Sequence, residues 1–295
     1  MNVIIHLIEY YGLVFIRQCV KLFSPGMVYK TGCFLGSLVY GIIRIRRQQV
    51  LENLDLAFPE KTEVWKKQVA RETFQLSAAA MLEFLKLPEF THEYIERYIS
   101  ISGMENLELA LQNGRGVIVG GGHFGNWEYN GAVFPVLGYP TNFVMVEQHN
   151  LLIHGFTNKL RRMKGINCIS TRMGTREIVR RLHQNQLVCM LYDQDARKYG
   201  IFVDFFKFPA STHSGLAFLA WKTGAAIVTS FMFRIQGDHF HMVIDPPIWA
   251  DSGMNREENI VFLTKKLNTR LEEMIREHPA HWFWYHKRWK TKQLS

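Results

Sequence analysis

The run Gly120-Gly121-Gly122-His123-Phe124-Gly125-Asn126-Trp127-Glu128 places an imidazole and a carboxylate five positions apart, directly behind three glycines. Five positions along a regular α-helix rotate by roughly 500°, about 140° net, so His123 and Glu128 do not share a helical face. They meet if His123 lies in a loop and Glu128 in the first turn of the helix that follows. A carboxylate on one ring nitrogen then fixes the tautomer and leaves the other nitrogen as a base. The positive end of the helix disfavours imidazolium, and its N–H groups are placed to hold an oxyanion. The same run also fits G-x-G-x-x-G, with Glu147 near the end of the next strand where a ribose-binding acid would stand. Bulky His123 and Phe124 between the last glycines, and the long helical stretch ahead of the motif, make a nucleotide-dependent oxidoreductase using Gly120 to Gly125 the distant alternative. A purely structural His–Glu pair is the plain one.

Neither a G-x-S-x-G elbow nor H-E-x-x-H occurs. A base without an enzyme nucleophile implies that a hydroxyl of the substrate attacks. A second dense stretch spans residues 193 to 215. Asp193 and Asp195 follow a strand pattern, where the active-site loops of α/β sheets lie. No third ligand accompanies them, and Arg197 and Lys198 offer charge partners, so no metal is expected. Phe202, Phe205, Phe206, Phe208 and Pro209 read as an apolar channel or, more ordinarily, as core. Ser211 and Thr212 offer an N-cap to the next helix. Arg161, Arg162 and Lys164 form one cationic cluster, and Arg172, Arg176, Arg180 and Arg181 another; both suit phosphate. Trp282, Trp284 and Trp289, interleaved with His286, Lys287, Arg288 and Lys290, suit a lipid head-group zone or stacking on bases.

These residues need elements to hold them. Strand patterns at 116–119, 142–146, 167–170 and 187–191 alternate with helical patterns at 126–134, 150–164 and 175–183. A helix at 214–223, a strand pair at 226–234 and 239–244 and a closing helix at 256–277 complete the series. The alternation predicts an α/β fold with a mixed sheet flanked by helices. The first 90 or so residues read as helical. At 47% apolar residues the chain can bury a sizeable core, which excludes disorder. The net charge of +9 implies an anionic partner, and no nucleic-acid-binding module is visible. Cys19, Cys33, Cys168 and Cys189 are scattered, which excludes a zinc ribbon and fits four buried thiols. Residues 2–23 carry Asn2, His6, Glu9, Arg17 and Lys21 on one helical face and apolar residues on the rest. Such a helix lies in a membrane interface, enters a bilayer with its stripe against protein, or packs on the domain core. Residues 27–43 are apolar, with Gly32, Gly36 and Ser37 as a small face for close helix approach and Arg44, Arg46 and Arg47 behind.

The stretches "NLDLAFPE", "GGHFGNWE", "DQDARKYGIFVDFF", "FPASTHSGLAFLAWKTGAAIV" and "HWFWYHKRWK", in that order, resemble the lipid A biosynthesis acyltransferases. His123 and Glu128 match the H-x4-D/E motif of the wider lysophospholipid acyltransferase superfamily. The resemblance implies a glycerolipid acyltransferase-like α/β fold. Membrane-associating helices would occupy 1–45 and the acyltransferase domain 46–295. It implies transfer of a fatty acyl chain from acyl carrier protein to a hydroxyl of a lipid A precursor, with no cofactor and no covalent enzyme intermediate. The expected location is the cytoplasmic face of the inner membrane. In that scheme His123 is the base and Glu128 orients it. Gly122, Asn126 and Arg161 bind substrate, and Asp193 and Asp195 support the site. Where these enzymes often carry R-P-x-x-N, this chain reads Glu147-Gln148-His149-Asn150. A phosphatidylinositol mannoside or a lysophospholipid is therefore the alternative acceptor.

Overall fold

The computed structural model describes residues 2–171 and 174–293. Five helices come first: α1 (Asn2–Lys21), α2 (Pro25–Leu38), α3 (Arg47–Ala57), α4 (Glu63–Leu85) and α5 (His92–Tyr98). A π-helical turn, Val39–Ile43, continues α2. Then strands and helices alternate. They are β1 (Ile99–Ser102), α6 (Met104–Gln112), β2 (Val117–Gly121), α7 (Trp127–Val136), β3 (Thr141–Met145), α8 (Leu151–Arg162) and β4 (Ile166–Ser170). After these come α9 (Gly174–His183), β5 (Leu187–Leu191), β6 (Ile201–Phe205), β7 (Phe208–Thr212), α10 (Gly215–Thr223), β8 (Ala226–Gln236), β9 (His239–Ile244) and α11 (Arg256–Glu277).

The main sheet has the order β1-β9-β8-β2-β5-β3-β4. Strands β8, β2, β5, β3 and β4 are parallel; β9 is antiparallel to β8, and β1 is parallel to β9. The expected mixed α/β sheet is therefore present. β2 is buried along its whole length, as a central parallel strand covered on both faces must be. One core packs Phe124, Phe205, Leu267, Leu271, Trp282 and Trp284 on one face of the sheet. The other packs Leu107, Phe134, Val228 and Met242 on the opposite face. The β6–β7 hairpin lies outside the expectation from sequence, which left residues 201–212 without strands. Ser211 and Thr212 are strand residues in it rather than helix caps, and Ser214 is the N-cap of α10.

Several surface expectations change with the packing. Trp282, Trp284 and Trp289 are 1%, 0% and 8% exposed, so they are core rather than a head-group belt. Arg288 is buried too, donating to the Ser211 carbonyl and the Thr212 hydroxyl. Phe205 and Phe206 are core residues. All four cysteines are free and only partly buried. Arg180 and Arg181 pair with Glu177; Arg172 lies outside the described residues.

α1 is inside out relative to a soluble helix. Val3, Ile4, Ile8 and Phe15 are 65% or more exposed. Its polar stripe faces protein instead: Asn150 donates to the Glu9 carboxylate at 2.9 Å and to the His6 carbonyl at 3.0 Å, and Arg17 stands 3.8 Å from Glu89. This rules out burial of the apolar face in the domain core. α2 and its π-turn, Pro25–Ile43, are also long and apolar enough to cross a membrane. α2 packs on α4 through the expected small face. A Cβ on Gly32 would overlap Ala79 and one on Gly36 would overlap the Phe74 carbonyl, while Gln75 donates to the Ser37 hydroxyl at 2.8 Å. Gly32→Ala should therefore push α2 off α4 and cost about 1–3 kcal/mol, read as a lowered Tm in detergent.

Candidate active site

β2 and β5 are neighbours, and their C-terminal ends carry the reactive groups. Tyr192 N–H donates to the Gly121 carbonyl, extending the pairing one residue past β5. His123 and Asp193 thus leave adjacent strands side by side. His123 Nδ1 is 2.8 Å from Asp193 Oδ1, and the His123 backbone N–H donates to Asp193 Oδ2 at 2.8 Å. The Trp282 indole N–H adds a third bond to Oδ2 at 2.9 Å. An ionised carboxylate only accepts, so Nδ1 carries the proton and Nε2 is left with its lone pair free.

The carboxylate on His123 is therefore Asp193, not Glu128. Glu128 sits in the first turn of α7 and turns toward α8. There Arg161 Nε and Nη2 grip its two oxygens at 2.9 and 2.5 Å. Asn158 accepts from Arg161 at 3.1 Å and fixes the guanidinium further. The expected reach of Glu128 back to His123 fails because the intervening loop is pinned. Gly125 N–H donates to the His281 carbonyl and Asn126 N–H to the Met232 carbonyl. Gly125 has φ 55°, and a Cβ there would overlap the Met232 carbonyl oxygen. Arg161 is consequently an ion-pair partner within the cavity wall rather than a free cation.

The glycines do not cradle phosphate. Leu216, the Ser230 carbonyl and Leu271 stand where side chains on Gly120, Gly121 and Gly122 would go. The loop N–H groups of His123, Phe124, Gly125 and Asn126 are all committed within the protein. The loop N–H groups expected to hold an oxyanion are therefore not free to do so. Trp127 and Glu128 are the first two helical residues, whose N–H groups have no intrahelical acceptor, and both line the cavity.

That cavity measures about 460 Å³. His123, Glu128, Asn130, Gln148, Arg161, Gln194 and His213 supply its polar groups, and its apolar walls include Val119, Phe143, Val144, Met190 and Leu191. Of the expected substrate contacts, Arg161 lines it. Gly122 and Asn126 do not. Gly122 supports the turn under Asp193. Asn126 is 3% exposed; it caps α7 through Tyr129 N–H and donates to Glu83, whose carboxylate forms a buried pair with Arg234. Asp195 lies in a neighbouring cavity, with its Oδ2 accepting from Thr291 at 2.9 Å. Asp193 takes His123 and Trp282 as partners, and neither aspartate pairs with Arg197 or Lys198 among the described residues.

Sequence reasoning missed three contributors. Trp282 and Phe283 come from the far end of the chain. Phe283 N–H donates to the His123 carbonyl at 2.9 Å, and its ring lies 5.9 Å from the imidazole. His213 belongs to the quoted "FPASTHSG" run, but only its hydroxyl neighbours were weighed there.

The charges set the proton's resting place. Burial pushes His123 toward the neutral form, but the Asp193 carboxylate and its hydrogen bond outweigh burial, with Glu128 adding to them, and the imidazole ends above its ordinary value. This reverses the expectation that the helix end keeps it neutral. Burial would raise Asp193, yet His123 and the Trp282 indole hold it well below the usual carboxylate range. Burial keeps His213 below the usual histidine value.

The sequence model described as bacterial lipid A biosynthesis acyltransferase matches residues 3–291. The chain belongs to that family. It is 26% identical over 275 residues to the lipid A biosynthesis palmitoleoyltransferase of Escherichia coli, covering 90% of this chain and 87% of that one. It is 24% identical over 269 residues to the lauroyltransferase of the same organism, covering 90% and 86%. A phosphatidylinositol mannoside acyltransferase of Mycobacterium tuberculosis is 27% identical over 215 residues, covering 70% and 66%. The family is one of acyltransferases, and this chain is an enzyme of that class.

The geometry sets measurable outcomes. Because His123 is raised, kcat/KM should fall as pH drops through a value above about 6.5, the ordinary histidine value. Asp193→Asn should lower activity about 10²- to 10⁴-fold and move that acid limb downward; a pH–rate profile reads both. Glu128→Ala or Arg161→Ala alone strands a partly buried charge and should cost about 3 kcal/mol. The double variant should lose less than the sum of the two, as a denaturation double-mutant cycle would measure.

Proposed function

We propose that this acyltransferase moves a fatty acyl chain from an acyl carrier protein thioester to a hydroxyl of a lipid A precursor or a related glycolipid. The observation that carries the reading is the His123–Asp193 pair, with Nε2 left for chemistry, beside an apolar cavity that also holds the Glu128–Arg161 pair. The acceptor hydroxyl gives its proton to His123 Nε2 as its oxygen attacks the thioester carbon. The C–S bond then breaks, and His123 returns the proton to the leaving sulfur. The products are an ester and a thiol, with no covalent bond to the enzyme. Trp127 and Glu128 N–H groups, at the positive end of α7, stabilise the transient oxyanion. Val119, Phe143 and Met190 surround the acyl chain. No cofactor takes part.

The net charge of +9 favours an acidic carrier and a phosphorylated acceptor. The outward apolar faces of α1 and α2 favour a place at the cytoplasmic face of the inner membrane, where such a lipid is met. The mycobacterial relative supports a second acceptor class, phosphatidylinositol mannosides.

The test is acyl transfer from a panel of acyl carrier protein donors to lipid A precursors, phosphatidylinositol mannosides and lysophospholipids. Wild type should acylate a phosphorylated glycolipid. His123→Ala should lose about 10²- to 10⁴-fold in kcat while staying folded, with a Tm lowered because buried Asp193 loses a donor. Near-normal turnover in that variant would remove His123 from the mechanism. Transfer confined to lysophospholipids would replace the acceptor.

A further inference from the structure

A second cavity, of about 650 Å³, adjoins the first. Gln194 lines both. Phe283, whose ring faces the His123 imidazole, also lines the second. A group bound there therefore stands next to the base without entering the acyl channel.

Four cations converge on this cavity from three parts of the chain: Arg46, Arg197, Lys287 and Lys290. All are exposed, and none has an ion-pair partner among the described residues. Cations gathered without acids repel one another unless an anion joins them. Val39, Phe74 and Met81 give the cavity an apolar lining. One acid, Asp195, faces the same space. Its Oδ2 accepts from Thr291 and its backbone N–H donates to His286 Nε2. Its Oδ1 is buried with no protein partner. A buried acceptor in that state calls for a donor, and an O–H or N–H of a ligand supplies one. Beside the mouth, Ile42, Ile43 and Ile45 are more than half exposed, continuous with the apolar face of α2.

We infer that this cavity is a second substrate subsite, which takes the phosphate-bearing end of a substrate. The cations hold the phosphate, and Asp195 Oδ1 accepts from a neighbouring hydroxyl or amide N–H. The assignment deepens the acyltransferase reading. Both a phosphorylated sugar headgroup on the lipid and the phosphopantetheine arm of the carrier combine a phosphate with such donors.

Binding separates the sources without relying on turnover. Full-length protein in detergent micelles is titrated with two probe pairs. One is a phosphorylated disaccharide lipid and its dephosphorylated form; the other is phosphopantetheine and pantetheine. Wild type should prefer the phosphorylated member of one pair by about tenfold or more. Arg197→Ala/Lys290→Ala should erase that preference, and Asp195→Asn should weaken binding of both members of the same pair. His123→Ala should retain it. A lipid preference assigns the acceptor, and a pantetheine preference assigns the donor arm. Absence of preference in both pairs, or its survival in the double variant, overturns the subsite. If wild type binds with this preference but transfers no acyl group, the acyltransferase reading fails and the subsite stands. In steady-state assays the double variant should raise KM for the assigned substrate alone, with kcat within about threefold; a fall in kcat at unchanged KM would also overturn it.

Discussion

The organisation of this enzyme depends on one buried charge. Asp193 is 3% exposed, and an isolated carboxylate at such a place would be neutral. It stays ionised because three donors converge on it: two from His123 and one from Trp282. Those bonds tie the end of β5, the loop after β2 and the C-terminal segment to a single point. The imidazole is held in one tautomer by the same contacts that keep the acid charged. Neither group would hold its state without the other, so the His123–Asp193 pair and the packing around it are inseparable.

A second layer holds the loop that carries His123. Asn126 caps α7 and reaches the Glu83–Arg234 pair, and Arg234 stacks its guanidinium 4.2 Å from the centre of the Phe240 ring. Gly125 lets the chain pass against the Met232 carbonyl. Glu128 and Arg161 then form a separate pair across α7 and α8. His123 and Glu128 thus belong to two different ion-pair systems that share one cavity.

Much of this was legible in the sequence because it rests on local periodicity. The alternating strands and helices, the small face of α2 and the polar stripe of α1 all follow from spacing along one element. The partner of His123 did not. Its choice between Glu128 and Asp193 depends on the order of β2 and β5 in the sheet, and strand order is a long-range property. The C-terminal tryptophans were misread for the same reason. Trp282 beside cations has the composition of an interfacial belt, yet its indole is consumed by Asp193, which lies 89 positions earlier. The β6–β7 hairpin was hidden by Phe206 and Lys207, which turn at φ 51° and 65° without a glycine to mark the turn.

The contact from Trp282 and Phe283 also links the state of the pair to the stability of a distant segment. The indole supplies one of the three donors on Asp193, and the Phe283 N–H ties the His123 carbonyl. A local opening confined to this segment would leave both residues in place yet withdraw one donor from the buried carboxylate and free the loop that carries the imidazole. The seating of one short stretch and the ionisation of an acid 89 positions away are therefore a single equilibrium.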